Sequence, residues 1–148
     1  MKKFLAIILA LVMALSLMAC GSAPAQEPNN DADTGAETPV VTDGAALGEG
    51  AHSFTLEITD GEGKTITATI NTDEETVGAA LLKLNIVRGE NSEYGLYVKT
   101  VNGVTADYDK DQTYWSFYID GEYAQTGVDM TAITDGSTYK LAIETMAQ

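Results

Sequence analysis

Residues 54–84 read FTLEITDGEGKTITATINTDEETVGAALLKL, and two different periodicities meet inside this stretch. Phe54, Leu56 and Ile58 alternate with polar residues, as do Ile66, Ala68 and Ile70. Successive side chains of a strand point to opposite faces, so each run predicts a strand with one buried face. Asp60-Gly61-Glu62-Gly63 between them reads as a turn, which joins the two strands into a hairpin. The period then changes. Thr72-Asp73-Glu74-Glu75 has the form of a capping box with acids in the first turn, and Val77, Ala80, Leu81 and Leu84 fall on one helical face. An amphipathic helix over residues 73–85 is the expectation.

Downstream, alternation returns. Tyr94 to Val101 runs into Asn102-Gly103, Thr113 to Ile119 runs into Asp120-Gly121, and Thr138 to Glu144 closes the chain after Asp135-Gly136. Asn-Gly and Asp-Gly are hairpin signals because both positions tolerate positive φ. The order is a hairpin, one helix and at least three further strands. A single helix covers one face of such a sheet. The expected fold is therefore one α+β domain of β-grasp type over residues 51–148, its second sheet face open to solvent, a ligand or a partner.

Residues 21–50 differ in kind. They hold all three prolines, Pro24, Pro28 and Pro39, and their charged residues are acids: Glu27, Asp31, Asp33, Glu37, Asp43 and Glu49. With little apolar surface to offset ordering entropy, residues 20–50 read as a disordered acidic linker, spanning roughly 30 Å end to end. Ahead of it, Lys2 and Lys3 precede an apolar run from Phe4 to Leu17 broken only by Ser16. A basic start, a short apolar segment and small residues before a cut site mark an export signal, here residues 1–19. Leu17-Met18-Ala19-Cys20 resembles a bacterial lipobox. The resemblance implies cleavage before Cys20 and lipidation of its thiol, the acyl chains holding the protein on the membrane. Cys20 is the sole cysteine, so no intrachain disulfide can form.

The chain carries 22 Asp and Glu against 8 Lys and Arg, a net charge of −14, and Lys2 and Lys3 fall in the segment to be removed. Such a polyanion is repelled by phosphate backbones and anionic headgroups, which excludes nucleic acid as a partner. Catalytic equipment is sparse. The single histidine, His52, stands where the first strand begins, and there is no nucleophilic cysteine, phosphate-cradling glycine loop or zinc spacing. The expectation is a protein that is not an enzyme, needs no cofactor and holds no metal. Asp107, Asp109 and Asp111 open like a calcium loop, but Gln112 stands where glycine is needed and Tyr118 where the closing glutamate belongs. A solvated turn is expected there.

The strand from Thr113 sorts its aromatic residues. Trp115, Phe117 and Ile119 point one way and Tyr114, Ser116 and Tyr118 the other. The first set is more apolar and is assigned to the core. Tyr114 and Tyr118 then fall on the open face, with Tyr97 or Tyr123 as neighbours, and exposed tyrosines suit binding because they offer large amphipathic surface at small entropic cost.

From Thr72 to Ile143 the motifs Tyr94-Gly95-Leu96-Tyr97-Val98, Val101-Asn102-Gly103-Val104, Tyr114-Trp115, Gly127-Val128 and Asp135-Gly136 occur in one order. Together they resemble the C-terminal β-domain of transcobalamin and intrinsic factor, a domain also carried by bacterial surface lipoproteins. The resemblance implies a β-grasp module that binds a soluble ligand, with a corrinoid as one possible ligand. It places Tyr94, Gly95, Tyr97, Trp115 and residues 122–127, including Tyr123, Gln125 and Gly127, on the ligand side, so Trp115 stands in both the core and the ligand sets. It also implies the outer face of a Gram-positive cell membrane as the location. The leading expectation is a surface-tethered binding lipoprotein for an amphipathic small molecule. The alternative is a protein-interaction module serving a surface protein or a transporter. Cys20→Ser is expected to abolish metabolic fatty-acid labelling and leave the chain at its unprocessed mass; labelling that persists in the variant would contradict the anchor.

Overall fold

The computed structural model describes residues 41–146. The export signal, Cys20 and residues 21–40 of the expected linker lie outside the described residues. The fold is sheet-dominated α+β. Among the described residues nine strands run β1 (Ala45–Leu47), β2 (His52–Thr59), β3 (Thr65–Thr72), β4 (Val87–Ser92), β5 (Gly95–Val101), β6 (Val104–Thr105), β7 (Thr113–Ile119), β8 (Glu122–Tyr123) and β9 (Thr138–Thr145). Helix α1 (Val77–Lys83) follows β3, the short α2 (Tyr108–Asp111) precedes β7, and a 3-10 turn (Val128–Met130) lies between β8 and β9.

The strands make two sheets where the sequence suggested one. Six are ordered β1-β3-β2-β9-β7-β8, and three are ordered β4-β5-β6. In the larger sheet the C-terminal strand β9 sits in the middle, parallel to β2 and antiparallel to β7. Register sets Leu56 against Tyr139, Ile58 against Leu141 and Phe117 against Leu141, so the apolar positions of three strands share a face. Against that face lie Val87, Val98 and Val101 of the smaller sheet, Val77, Ala80 and Leu81 of α1, and Val128 of the 3-10 turn, in one continuous core. The inner face is thus covered by a second sheet as well as a helix.

The hairpin forms as read. β2 and β3 pair from His52↔Thr72 to Thr59↔Thr65, and the Asp60 carboxylate accepts from the amides of Glu62 and Lys64 to shape the turn. Both residues of Asn102-Gly103 and of Asp120-Gly121 have positive φ, as those hairpin signals require. The helix is shorter than residues 73–85. Thr72 ends β3 and its hydroxyl accepts from the Glu74 amide, while Thr76 bridges Ala132, with Val77 N donating to Thr131 O and Ile133 N to Glu75 O. These bonds hold Thr76 extended, so the cap is Thr76, whose hydroxyl accepts from Ala79 N.

The ordered fold also begins earlier than residue 51. β1 pairs in parallel with β3, and Val41 is buried. Its amide donates to Asn102 Oδ1 at 2.8 Å and its carbonyl accepts from Asn102 Nδ2 at 2.9 Å. The side chain that marks a hairpin turn therefore also grips the incoming chain, and residues 41–50 belong to the domain. Asn102→Gly keeps the positive φ unstrained but removes that grip, leaving two buried backbone groups unpaired. It is expected to cost about 2 kcal/mol or more in urea unfolding; an unchanged midpoint would contradict this role.

Candidate functional site

Two groups of polar and aromatic residues stand apart from the core. The first is on the outer face of the larger sheet. β7 and β9 register Tyr114 against Glu144 and Tyr118 against Lys140. Both tyrosine hydroxyls donate to the Glu144 carboxylate, Tyr114 at 3.1 Å and Tyr118 by a shorter bond. Between them Ser116 is buried and donates to Ala142 O at 2.8 Å. Tyr123 meets Tyr118 edge-on with ring centroids 5.4 Å apart, and Lys140 Nζ stands 5.8 Å over the Tyr118 ring. The hydrogen bonds from Tyr118 and then Tyr114 hold the Glu144 carboxyl below its ordinary range against the opposing effect of burial. The same bonds, with burial, raise both phenols.

The second group is a cleft of about 420 Å³ at the β4–β5 hairpin, lined by residues 90–92 and 94–97. Ser92 shapes its tip: the hydroxyl donates to Gly95 O at 2.7 Å and accepts from Tyr94 N at 3.2 Å. Tyr94 is 83% exposed and Tyr97 44% exposed, so two rings border the opening while the backbone beneath them is fixed. Lys99 reaches back to Glu90 on the rim at 2.8 Å. The 3-10 turn packs against the same hairpin at Gly95. A β-carbon on Gly95 would lie 2.8 Å from Asp129 Oδ2, and one on Gly127 2.9 Å from Asp129 Oδ1. Two of the expected site residues are therefore glycines because an acidic side chain is packed against their α-carbons. Met130, next in the chain, is 67% exposed.

The expected site residues divide between these places. Tyr94, Gly95 and Tyr97 line the cleft and Gly127 stands beside it. Tyr114, Tyr118 and Tyr123 make the outer-face cluster, and Gln125 is exposed in the loop after β8. Trp115 is 8% exposed with Phe117 in the core, which resolves its double assignment toward packing, although its indole N–H has no hydrogen-bond partner. Asp107 caps α2 and pairs with Lys110 at 2.9 Å, so the aspartate run is a capped helical turn. Among the described residues no three His, Cys, Asp or Glu side chains gather as a metal site.

Residues 74–143, which contain the cleft and all of the outer-face cluster except Glu144, match the family described as a domain of unknown function, DUF4430. A solved protein of Ruminococcus gnavus, described as a candidate metal binding protein, is 31% identical; the match covers 66% of this chain and all of that one, with a TM-score of 0.62. The chain belongs to that protein's family. Haptocorrin in complex with Cbi aligns with 65% of this chain and 25% of its own length at 17% identity and a TM-score of 0.50, a likeness of fold. No curated protein sequence matches.

The sequence motifs do not point to Glu144, Lys140 or Asp129. Register opposite Tyr114 and Tyr118 would have found the first two, had the position of β9 been known. Asp129 carried only the weak signal of a glycine two residues before it. The outer-face cluster makes a pH prediction. Glu144 titrates below its usual 4.5 in the folded state, so its contribution to stability is complete above that pH and lost as pH falls below it. Tyr114 and Tyr118 titrate above 10.0, so theirs is complete below that pH and lost as pH rises through the folded values. Subtracting the Glu144→Gln curve from wild type in pH-dependent urea unfolding should leave a plateau falling at both ends; a flat difference would contradict the coupling.

Proposed function

We propose that this domain is a non-catalytic binding module of β-grasp type, held outside the cell by a lipid on Cys20, which captures an amphipathic small molecule at the β4–β5 cleft. The observation that carries this reading is the pair of exposed rings, Tyr94 and Tyr97, over a hairpin tip fixed by Ser92 and abutted by the 3-10 turn. Rings on a fixed backbone stack on a flat ligand without first losing much freedom, which is where binding free energy is usually forfeited. A corrinoid is the ligand we favour. Support comes from the fold likeness to haptocorrin in complex with Cbi and from the order of motifs between Thr72 and Ile143.

The cleft is shallow beside the area of a large planar ligand, so a single domain would bind modestly and a second subunit could complete the pocket. A membrane-tethered carrier of this kind would concentrate its ligand beside an uptake system. The outer-face tyrosines favour a second reading, a protein contact, because Tyr123 is 56% exposed and its neighbours are already fixed by Glu144. Trp115, the only tryptophan, gives the readout. Titration with cobinamide, cobalamin and haem, corrected for inner-filter absorption, should show saturable quenching by a corrinoid. Tyr94→Ala and Tyr97→Ala should each weaken it about tenfold, whereas Tyr123→Ala should not. Quenching that does not saturate, or sensitivity to Tyr123 alone, would overturn the cleft reading.

A further inference from the structure

On the outer face of the larger sheet, oxygen atoms from separate side chains gather around one carboxylate. Tyr114 Oη lies 3.1 Å from Glu144 Oε2, and Tyr118 Oη lies closer still to Oε1. The Ser116 hydroxyl, buried between the two tyrosines in β7, also acts on that carboxylate. Tyr123 on β8 adds a third phenol at the exposed rim, its ring meeting that of Tyr118. Lys140 is the cation beside the cluster, over the Tyr118 ring, with Glu57 of β2 opposite it in the sheet.

This network closes only through two phenolic protons, and the atoms that share them are hard oxygen donors. An ordinary phenol keeps its proton near neutral pH, with a pKa near 10, even beside Mg²⁺ or Ca²⁺. A small ion of higher charge polarises the O–H bond enough to expel the proton. Two phenolates and the Glu144 carboxylate then carry three negative charges, so a trivalent ion leaves the half-buried cluster neutral and a divalent one does not. Neighbouring oxygens around a small octahedral ion stand about 3 Å apart, the spacing that Tyr114 and Glu144 already hold. A donor set without imidazole or thiolate also disfavours zinc and copper.

We propose that Tyr114, Tyr118 and Glu144 form a binding site for a hard trivalent cation, of which ferric iron is the biological example. Binding is an exchange without change of oxidation state. Each phenolic O–H bond breaks, its proton leaves to water, and the electron pair left on the oxygen forms the bond to the ion, which stays trivalent. Positions not filled by the protein face solvent at the Tyr123 rim and take water. The site uses none of the residues of the β4–β5 cleft and stands or falls apart from it.

The test titrates the full chain in detergent with ferric nitrilotriacetate, which keeps iron soluble, and follows visible absorption. Iron bound by phenolate shows a charge-transfer band that iron on the chain's other carboxylates lacks. Wild type should develop this band to saturation at a single ion per chain; Ga³⁺ should compete it away, and equal concentrations of Mg²⁺ or Ca²⁺ should not. Tyr114→Phe and Tyr118→Phe should each weaken binding by about tenfold or more and dim the band. The double variant should show none, and Tyr123→Phe should keep it. In wild type itself, Ga³⁺ should give the ultraviolet difference spectrum of two ionised tyrosines, a readout that the stability of no variant affects. A band that survives in the double variant overturns the site, as does gallium that ionises no tyrosine. Iron taken up without a band overturns it too, and makes the ion an adventitious guest of surface carboxylates.

Discussion

The placement of β9 between β2 and β7 is the constraint on which the rest of the domain depends. It sets Tyr139 in the core at 1% exposure, edge-on to Phe54 at 5.1 Å and stacked on Phe117 at 6.1 Å. A tyrosine so deep must satisfy its hydroxyl, and Tyr139 accepts from Thr134 N at 2.9 Å and donates to Ala132 O at 3.2 Å. Those bonds pin residues 132–134. Ala132 in turn bridges Thr76, where α1 begins, and the 3-10 turn carrying Asp129 lies just before it. Long-range strand pairing, one buried phenol and one bridge thus locate the turn that packs against the β4–β5 hairpin.

Much of this was legible in the chain and some was not, for reasons that can be named. The hairpin of β2 and β3 shows because one face is buried and the other wet, which is the condition for clean alternation. The split of Trp115 and Phe117 from Tyr114 and Tyr118 followed from the same rule. β4 escaped notice because Val-Arg-Gly-Glu-Asn-Ser lacks alternation, and its register shifts between Arg88 and Gly89. β1 was hidden in a segment whose composition resembles a linker: its three residues owe their order to pairing with β3 and to the Asn102 grip on Val41. The helix start was misplaced because a strand bridge at Thr76 outweighs the local preference for capping at Thr72.

For the site, residue types were easier to nominate than their grouping. Tyr94, Gly95, Tyr97 and Gly127 converge because the 3-10 turn is folded against β5, whereas Tyr114, Tyr118 and Tyr123 lie on the outer face, where Glu144 fixes two of their hydroxyls. A single list of aromatic candidates therefore covers two surfaces with different chemistry. One is an opening bordered by two exposed rings. On the other, an internal hydrogen-bond network has already used much of the polar capacity.

The central claim is that a ligand enters where β4 and β5 meet and the 3-10 turn closes in. Backbone amide chemical shifts of the labelled protein, followed during addition of cobinamide, test it most directly. Saturating changes confined to residues 90–97 and 126–130 are what this account requires. Changes centred on Tyr118, Tyr123 and Glu144, or none at any residue, would contradict it.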